Sequence, residues 1–132
     1  MIQCYCSSGD AFAHCCEPFI TNELAPETAE ELMRSRYTAY ALANVEYILS
    51  TTHNSTRKSY SANSIKKWAT SSKWLKLEIV STDKGSMSDF IGYVEFKDYY
   101  LNEKNFPHIH QEYSHFIKEN GRWYFLKGEV RT

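Results

Sequence analysis

Apolar and polar positions alternate with two different periods along this chain. In the first half, Met33, Tyr37 and Tyr40 recur at helical spacing, with Glu30 and Arg34 facing elsewhere. Thr28-Ala29-Glu30-Glu31 stands ahead of them as a capping box. The Thr28 hydroxyl can accept from the third backbone N–H, and Glu31 can reach back. The pattern predicts a helix from there to about Ala43. Asn44 is placed to cap a second, short helix from Val45 to Ser50. A polar stretch from Thr51 to Asn63 carries no predicted element. Ser64 to Ser72 predicts a third helix whose apolar side is Ile65, Trp68 and Ala69.

The second half has a period of two. Leu75, Leu77 and Ile79 predict a strand with one buried face. Asp83-Lys84-Gly85-Ser86 reads as a turn, and Phe90 to Tyr100 as a second strand rich in aromatic and β-branched residues. After a loop from Asn102 to Pro107, residues 109–118 form a third strand. Asn120-Gly121 is a two-residue hairpin signal, because both positions tolerate positive φ. Arg122 to Val130 is the fourth strand. Helices followed by an antiparallel meander predict an α+β fold, with the helices packed on one concave sheet face.

Length and composition bound the function. The 132 residues fit one domain with a small appendage. Net charge is −1, without the basic excess of a nonspecific polyanion binder, so nucleic acid and anionic membrane are disfavoured. No apolar stretch approaches the roughly 18–20 residues that span a bilayer. Met1-Ile2-Gln3-Cys4 has neither the basic region nor the apolar core of a signal peptide, and the expected location is cytoplasmic. Thiols stay reduced there, which bears on the four cysteines.

All four, Cys4, Cys6, Cys15 and Cys16, fall within the first sixteen residues. Two close thiol pairs around a glycine-containing loop suit a tetrahedral thiolate site, predicting a structural Zn²⁺ in a knuckle spanning 1–19. Gly9 would let the loop turn its amides toward the sulfurs. Disulfides, free thiols or substitution of one thiolate by His14 are the alternatives. Zinc affinity would be folding free energy for the knuckle, so a chelator is expected to unfold 1–19 and spare 20–132.

Cys4-x-Cys6 followed by Cys15-Cys16, with Ser8-Gly9 between, resembles the SEC-C zinc motif. The segment Leu32-Met33-Arg34-Ser35-Arg36-Tyr37 resembles the YchJ-like family of uncharacterised bacterial proteins. Thr52-His53, Arg57, Trp74, His110-x-Glu112-x-Ser114 and Gly121-Arg122-Trp123-Tyr124 extend that likeness over nearly the whole chain. The resemblance implies a nuclear transport factor 2-like cone: a curved sheet wrapped by helices around a pocket. Where the SEC-C pattern usually carries Gly and Lys, this chain has Ser7 and Asp10. Lysines of that kind accompany binding to an acidic chaperone surface and to anionic lipid, and Asp10 reverses the charge.

The polar members of the matched segments form the candidate pocket. Arg36 lies near the apolar side of the first helix, and a buried arginine needs partners. His110, Glu112 and Ser114 have period two and share one strand face with Phe116. With Tyr37, Tyr40, His53 and Arg57, they make a ligand site in which arginine holds an anionic group. Glu112 and His110 would supply hydrogen bonds or acid–base chemistry. The structural alternative is a buried Arg–Glu pair fixing helix to sheet. His108, His110 and His115 do not make a second metal site, since His115 points to the opposite face. No phosphate-cradling glycine loop, GxSxG or HExxH occurs. Two functions compete: a binding or adaptor module for a protein partner or small ligand, and a small-molecule enzyme using Glu112 and His110. A homodimer through the sheet is a third expectation.

Overall fold

A computed structural model describes residues 2–131. A 3₁₀ turn, Phe12–His14, and a short helix, α1 (Glu17–Ile20), follow the first cysteine pair. Then come α2 (Ala29–Ala41), α3 (Val45–Ser50), α4 (Asn54–Arg57) and α5 (Ala62–Ser71). The sheet is β1 (Lys73–Lys84), β2 (Ile91–Leu101), β3 (Pro107–Glu119) and β4 (Arg122–Arg131), antiparallel in the order β1-β2-β3-β4. The α+β reading from the change of period therefore holds.

Local chemistry sets the helix ends. The Thr28 hydroxyl accepts from Glu31 N–H at 3.1 Å, and the Glu31 carboxylate reaches back to Glu27 N–H at 2.8 Å. At the other end of α2, Ala43 N–H donates to the Tyr40 carbonyl and Asn44 N–H to the Ala39 carbonyl. That is a Schellman arrangement, built here on an alanine with φ +55°. Asn44 and Ser61 cap α3 and α5 through their side chains.

Two expectations need correction. The polar stretch between Thr51 and Asn63 holds α4, capped by the His53 ring; a four-residue helix is too short for hydrophobic periodicity to reveal it. Leu75 does not share the buried face of Leu77 but is exposed. A bulge between Trp74 and Lys76 makes it the extra residue of β1 and turns the Trp74 ring inward.

The core lies between α2 and the concave sheet face. Leu32, Met33 and Tyr37 meet Leu77, Val94, Phe96, Phe116, Trp123 and Phe125 in one buried cluster. Cys4, Cys6 and Cys16 belong to that same cluster. A second cluster, Ala39, Tyr47, Ile48 and Ile65, holds α3 and α5 against the far side of α2. The chain after α3 runs along the edge of β4, with His53 N–H donating to the Phe125 carbonyl and Phe125 N–H to the Thr51 carbonyl.

Candidate functional site

Two groups of residues carry chemistry. The first is the cysteine cluster. Cys4, Cys6, Cys15 and Cys16 bring their four sulfurs within 4.8 Å of one another. A tetrahedral Zn²⁺ with 2.3 Å bonds needs sulfur–sulfur edges of about 3.8 Å, and the Cys6–Cys15 and Cys15–Cys16 separations are 3.6 and 4.0 Å. The loop closes through positive φ at Ser7 and Gly9 (+66° and +88°) and a bridge between Gln3 and Ala11. His14 is exposed and stands outside the group.

Neighbouring side chains orient the sulfurs. Ser8 Oγ lies 3.3 Å from Cys15 Sγ, and Thr38 Oγ1 lies 3.9 Å from Cys4 Sγ. Arg34, held by Glu30 at 3.0 Å, donates to the Cys6 carbonyl at 2.9 Å and brings its charge to the Cys6 sulfur. The hydrogen bond with Cys16 lowers the Cys6 thiol to about 4, while the same bond and burial push Cys16 far up. Four thiols this close share one negative charge first, which Arg34 favours. An all-sulfur, largely buried donor set of this size fits a divalent soft metal ion. Cys4, Cys6, Cys15 and Cys16 would hold it, and Thr38, Ser8 and Arg34 would surround it.

The second group lies inside the cone. A cavity of about 470 Å³ opens between α2, α5 and the concave sheet face. Arg36, Tyr37, Tyr40, His110, Glu112 and Ser114 all line it. His53 and Arg57 do not. The His53 ring contacts Glu119 at 3.0 Å and Ser55 at 2.7 Å, whereas Arg57 donates twice to the Thr52 carbonyl. Both serve the α3–α4 turn.

Arg36 is buried and forms no ion pair among the described residues. Its Nη1 donates to the Ile48 carbonyl and Thr51 Oγ1, each at 2.8 Å, and to Thr52 Oγ1 at 3.2 Å. These groups close the C-terminal end of α3, where a cation is favoured. The guanidinium carbon lies 4.4 Å from the centre of the Phe125 ring. Burial lowers its pKa, and the field of Glu112 partly opposes this. The alternative of an Arg36–Glu112 ion pair does not form among the described residues; Arg36 ties α2 to α3 and lines the cavity.

Glu112 is instead satisfied along its own strand. His110 Nε2 lies 3.1 Å from one carboxylate oxygen, and Ser114 Oγ donates to the other at 2.6 Å. Burial raises the Glu112 pKa, but His110, Ser114 and Arg36 outweigh it and the net shift is downward. Burial works against a charged His110, yet Glu112 and Asp98 carry its pKa above the ordinary value. Gly128 leaves the space that Glu112 occupies, since a Cβ there would collide with the carboxylate.

Asp98 was not singled out from the sequence. It faces His110 across the β2–β3 ladder and is only 4 % exposed. Asp98 lines the cavity, and its Oδ1 is buried without a hydrogen-bond partner among the described residues. Burial raises its pKa to about 7. The run Val94, Phe96, Asp98 at period two carried the signal: an acid at the third place of a buried stripe. Trp68 and Trp74 pack edge to face as the aromatic end of the cavity wall, with Tyr100 packed behind them. His108 and His115 are elsewhere, on Asn102 and Glu129 respectively.

Residues 28–128 match the profile of the middle domain of YchJ, described as nuclear transport factor 2-like. The chain is 43% identical to a UPF0225 protein of Geobacter sulfurreducens, over 95% of this chain and 77% of that relative. It is also 43% identical to one of Haemophilus influenzae, over 96% and 78%. Among solved structures, a SEC-C motif containing protein from Rhodopseudomonas palustris superposes with a TM-score of 0.90 at 33% identity. That match covers 99% of this chain and all of the other. A SEC-C motif containing protein from Psychrobacter arcticus gives 0.80 at 30% identity, over 98% and 82%. With its cysteine knuckle fused to a helix-wrapped four-stranded cone, this chain belongs to the YchJ-like, UPF0225 family.

Proposed function

We propose that the protein is a zinc-folded binding module whose cone cavity takes a small ligand. The observation that carries this reading is the cavity itself, aromatic-walled and lined by buried polar groups whose hydrogen-bonding capacity the protein leaves unused. Zn²⁺ is the ion assigned to the four thiolates, because a closed all-cysteine set matches its structural sites. Its role is structural: no position is left open for substrate. The knuckle, residues 1–19, also presents a surface through which a protein partner is bound, with the module acting as an adaptor in the cytoplasm. A homodimer through the convex sheet face, where Tyr93 and Tyr113 stack at 5.6 Å, belongs to the same reading.

Metal analysis of protein purified without added zinc tests the first half. One zinc per chain is expected, and none in a Cys4→Ser, Cys6→Ser variant. A screen of small molecules by ¹H–¹⁵N spectra tests the second half. Perturbations gathered at the Trp68 and Trp74 indoles are expected. A library with no ligand there sinks the cavity reading. Light scattering measures the dimer.

Catalysis is the second reading, favoured by the contiguity of Asp98, His110 and Glu112 in one cavity. His110 would move the proton and Glu112 would orient it. A His110→Gln variant that leaves turnover of a discovered substrate intact would remove this reading.

A further inference from the structure

The cavity's unused hydrogen-bonding groups are unequal in kind. Arg36 commits all three of its protein hydrogen bonds to Nη1. Among the described residues, Nε and Nη2 have no partner, and Arg36 lines the cavity. Trp68 lines it as well, and its indole N–H has no partner among the described residues. The hydroxyls of Tyr40 and Tyr60 also lack partners among the described residues, and both lie within the field of Arg36. Guanidinium and indole can only donate. A ligand that satisfies this wall must bring acceptors.

Charge points the same way. Glu112 is already engaged by His110 at 3.1 Å, and Ser114 Oγ donates to its other carboxylate oxygen. Arg36 has no carboxylate within ion-pair distance among the described residues. It is a buried cation with neutral partners only, and a charge in that position gains strongly from an incoming anion. The remaining unmatched group is Asp98, buried with an unpartnered oxygen on the β2–β3 side of the cavity. The wall around Trp68, Trp74 and Phe96 is apolar and calls for a flat or hydrophobic body.

Resting on the ligand-cavity reading above, we propose that the occupant is a small organic carboxylate with an aromatic or similarly flat apolar body. Its carboxylate sits on the free Nε/Nη2 edge of Arg36, within reach of the Tyr40 and Tyr60 hydroxyls. Its body lies against Trp68 and Trp74. Asp98 disfavours ligands that place negative charge at the far end, which limits the occupant to one anionic group.

Three compounds that share one ring and differ in charge test this: benzoate, benzamide and benzamidine. Each is titrated into the full chain at pH 8 while the indole N–H resonances are followed. Trp123 serves as the internal reference, because it does not line this cavity and its indole N–H is held by the Glu27 carbonyl at 3.0 Å. Benzoate is expected to shift Trp68 and Trp74 saturably, with affinity at least about tenfold above benzamide and no saturation by benzamidine. Equal or tighter binding of benzamide or benzamidine overturns the carboxylate assignment and leaves the ligand cavity standing. No saturation by any of the three overturns both.

An Arg36→Gln variant should lose the preference for benzoate over benzamide. Because Arg36 also secures α3, a second variant keeps the test independent of folding. Asp98→Asn removes a negative charge from the cavity and should tighten benzoate by about threefold or more. Unchanged or weaker binding in that variant overturns the assignment.

Discussion

Asp98 is the residue whose environment departs most from its chemistry. A carboxyl this buried with an unpartnered oxygen is held toward its neutral form, and its pKa rises to about 7. The folded chain thus binds a proton that the unfolded chain releases nearer its ordinary value of 3.8. Stability from this group is complete below that ordinary value and is lost as pH rises through about 7. Asp98→Asn should remove that part of the decline and stabilise the protein at pH 8 by roughly 1–3 kcal/mol. At pH 4 it should do little. Thermal melts of both proteins across the range measure it. Gly128 makes the opposite kind of point. Its missing side chain is the room for Glu112, so Gly128→Ala should push the carboxylate off His110 and Ser114. The His110 resonance should then titrate at lower pH, because the hydrogen bond that holds its proton is gone.

At the scale of elements, caps and bulges decide where each side chain goes. Thr28 caps α2, and Thr28→Ala should cost about 1 kcal/mol in urea unfolding. The other end is less favourable, because Ala43 occupies a left-handed position that glycine fills more easily. Ala43→Gly should raise stability by up to about 1 kcal/mol. The helices of more than one turn were legible because capping residues and apolar spacing agree, as they do for α2 and α3. Strand β1 was legible as an element but not in its facing. The Trp74 bulge is a matter of pairing with Tyr99 and Tyr100, which local alternation does not encode. That bulge is what puts Trp74 into the cavity wall.

For the molecule as a whole, the knuckle shares the central core. Cys4, Cys6 and Cys16 pack with Leu32, Tyr37 and Leu77, and Leu77 N–H donates to Ser7 Oγ at 3.0 Å. Arg34 joins α2 to the Cys6 carbonyl. Metal removal is therefore expected to reach the cone and not residues 1–19 alone. A chelator should lower the melting temperature of the entire chain in one transition, followed by tryptophan fluorescence. Two separate transitions, with the cone melting unchanged, would show the knuckle to be an independent appendage. The candidate cavity is likewise a property of the whole. Arg36 comes from α2, Trp68 from α5, Trp74 from β1, Asp98 from β2 and Glu112 from β3.

The sequence by itself determined the order of the longer helices and the strands, the α+β class, the caps of α2 and α3, and the cysteine set. Each depends on residues close in the chain, and local spacing carries that information. It also placed His110, Glu112 and Ser114 on one face, because a strand's period is two. Tertiary structure alone decided that Arg36 finds α3 carbonyl and hydroxyl groups instead of Glu112, and that His53 and Arg57 serve a turn. It also decided that Asp98 Oδ1 is left without a partner among the described residues. Those outcomes depend on which elements meet and at what distance. A buried charge takes its character from neighbours far away in sequence, so its role becomes legible only once the chain has closed around it.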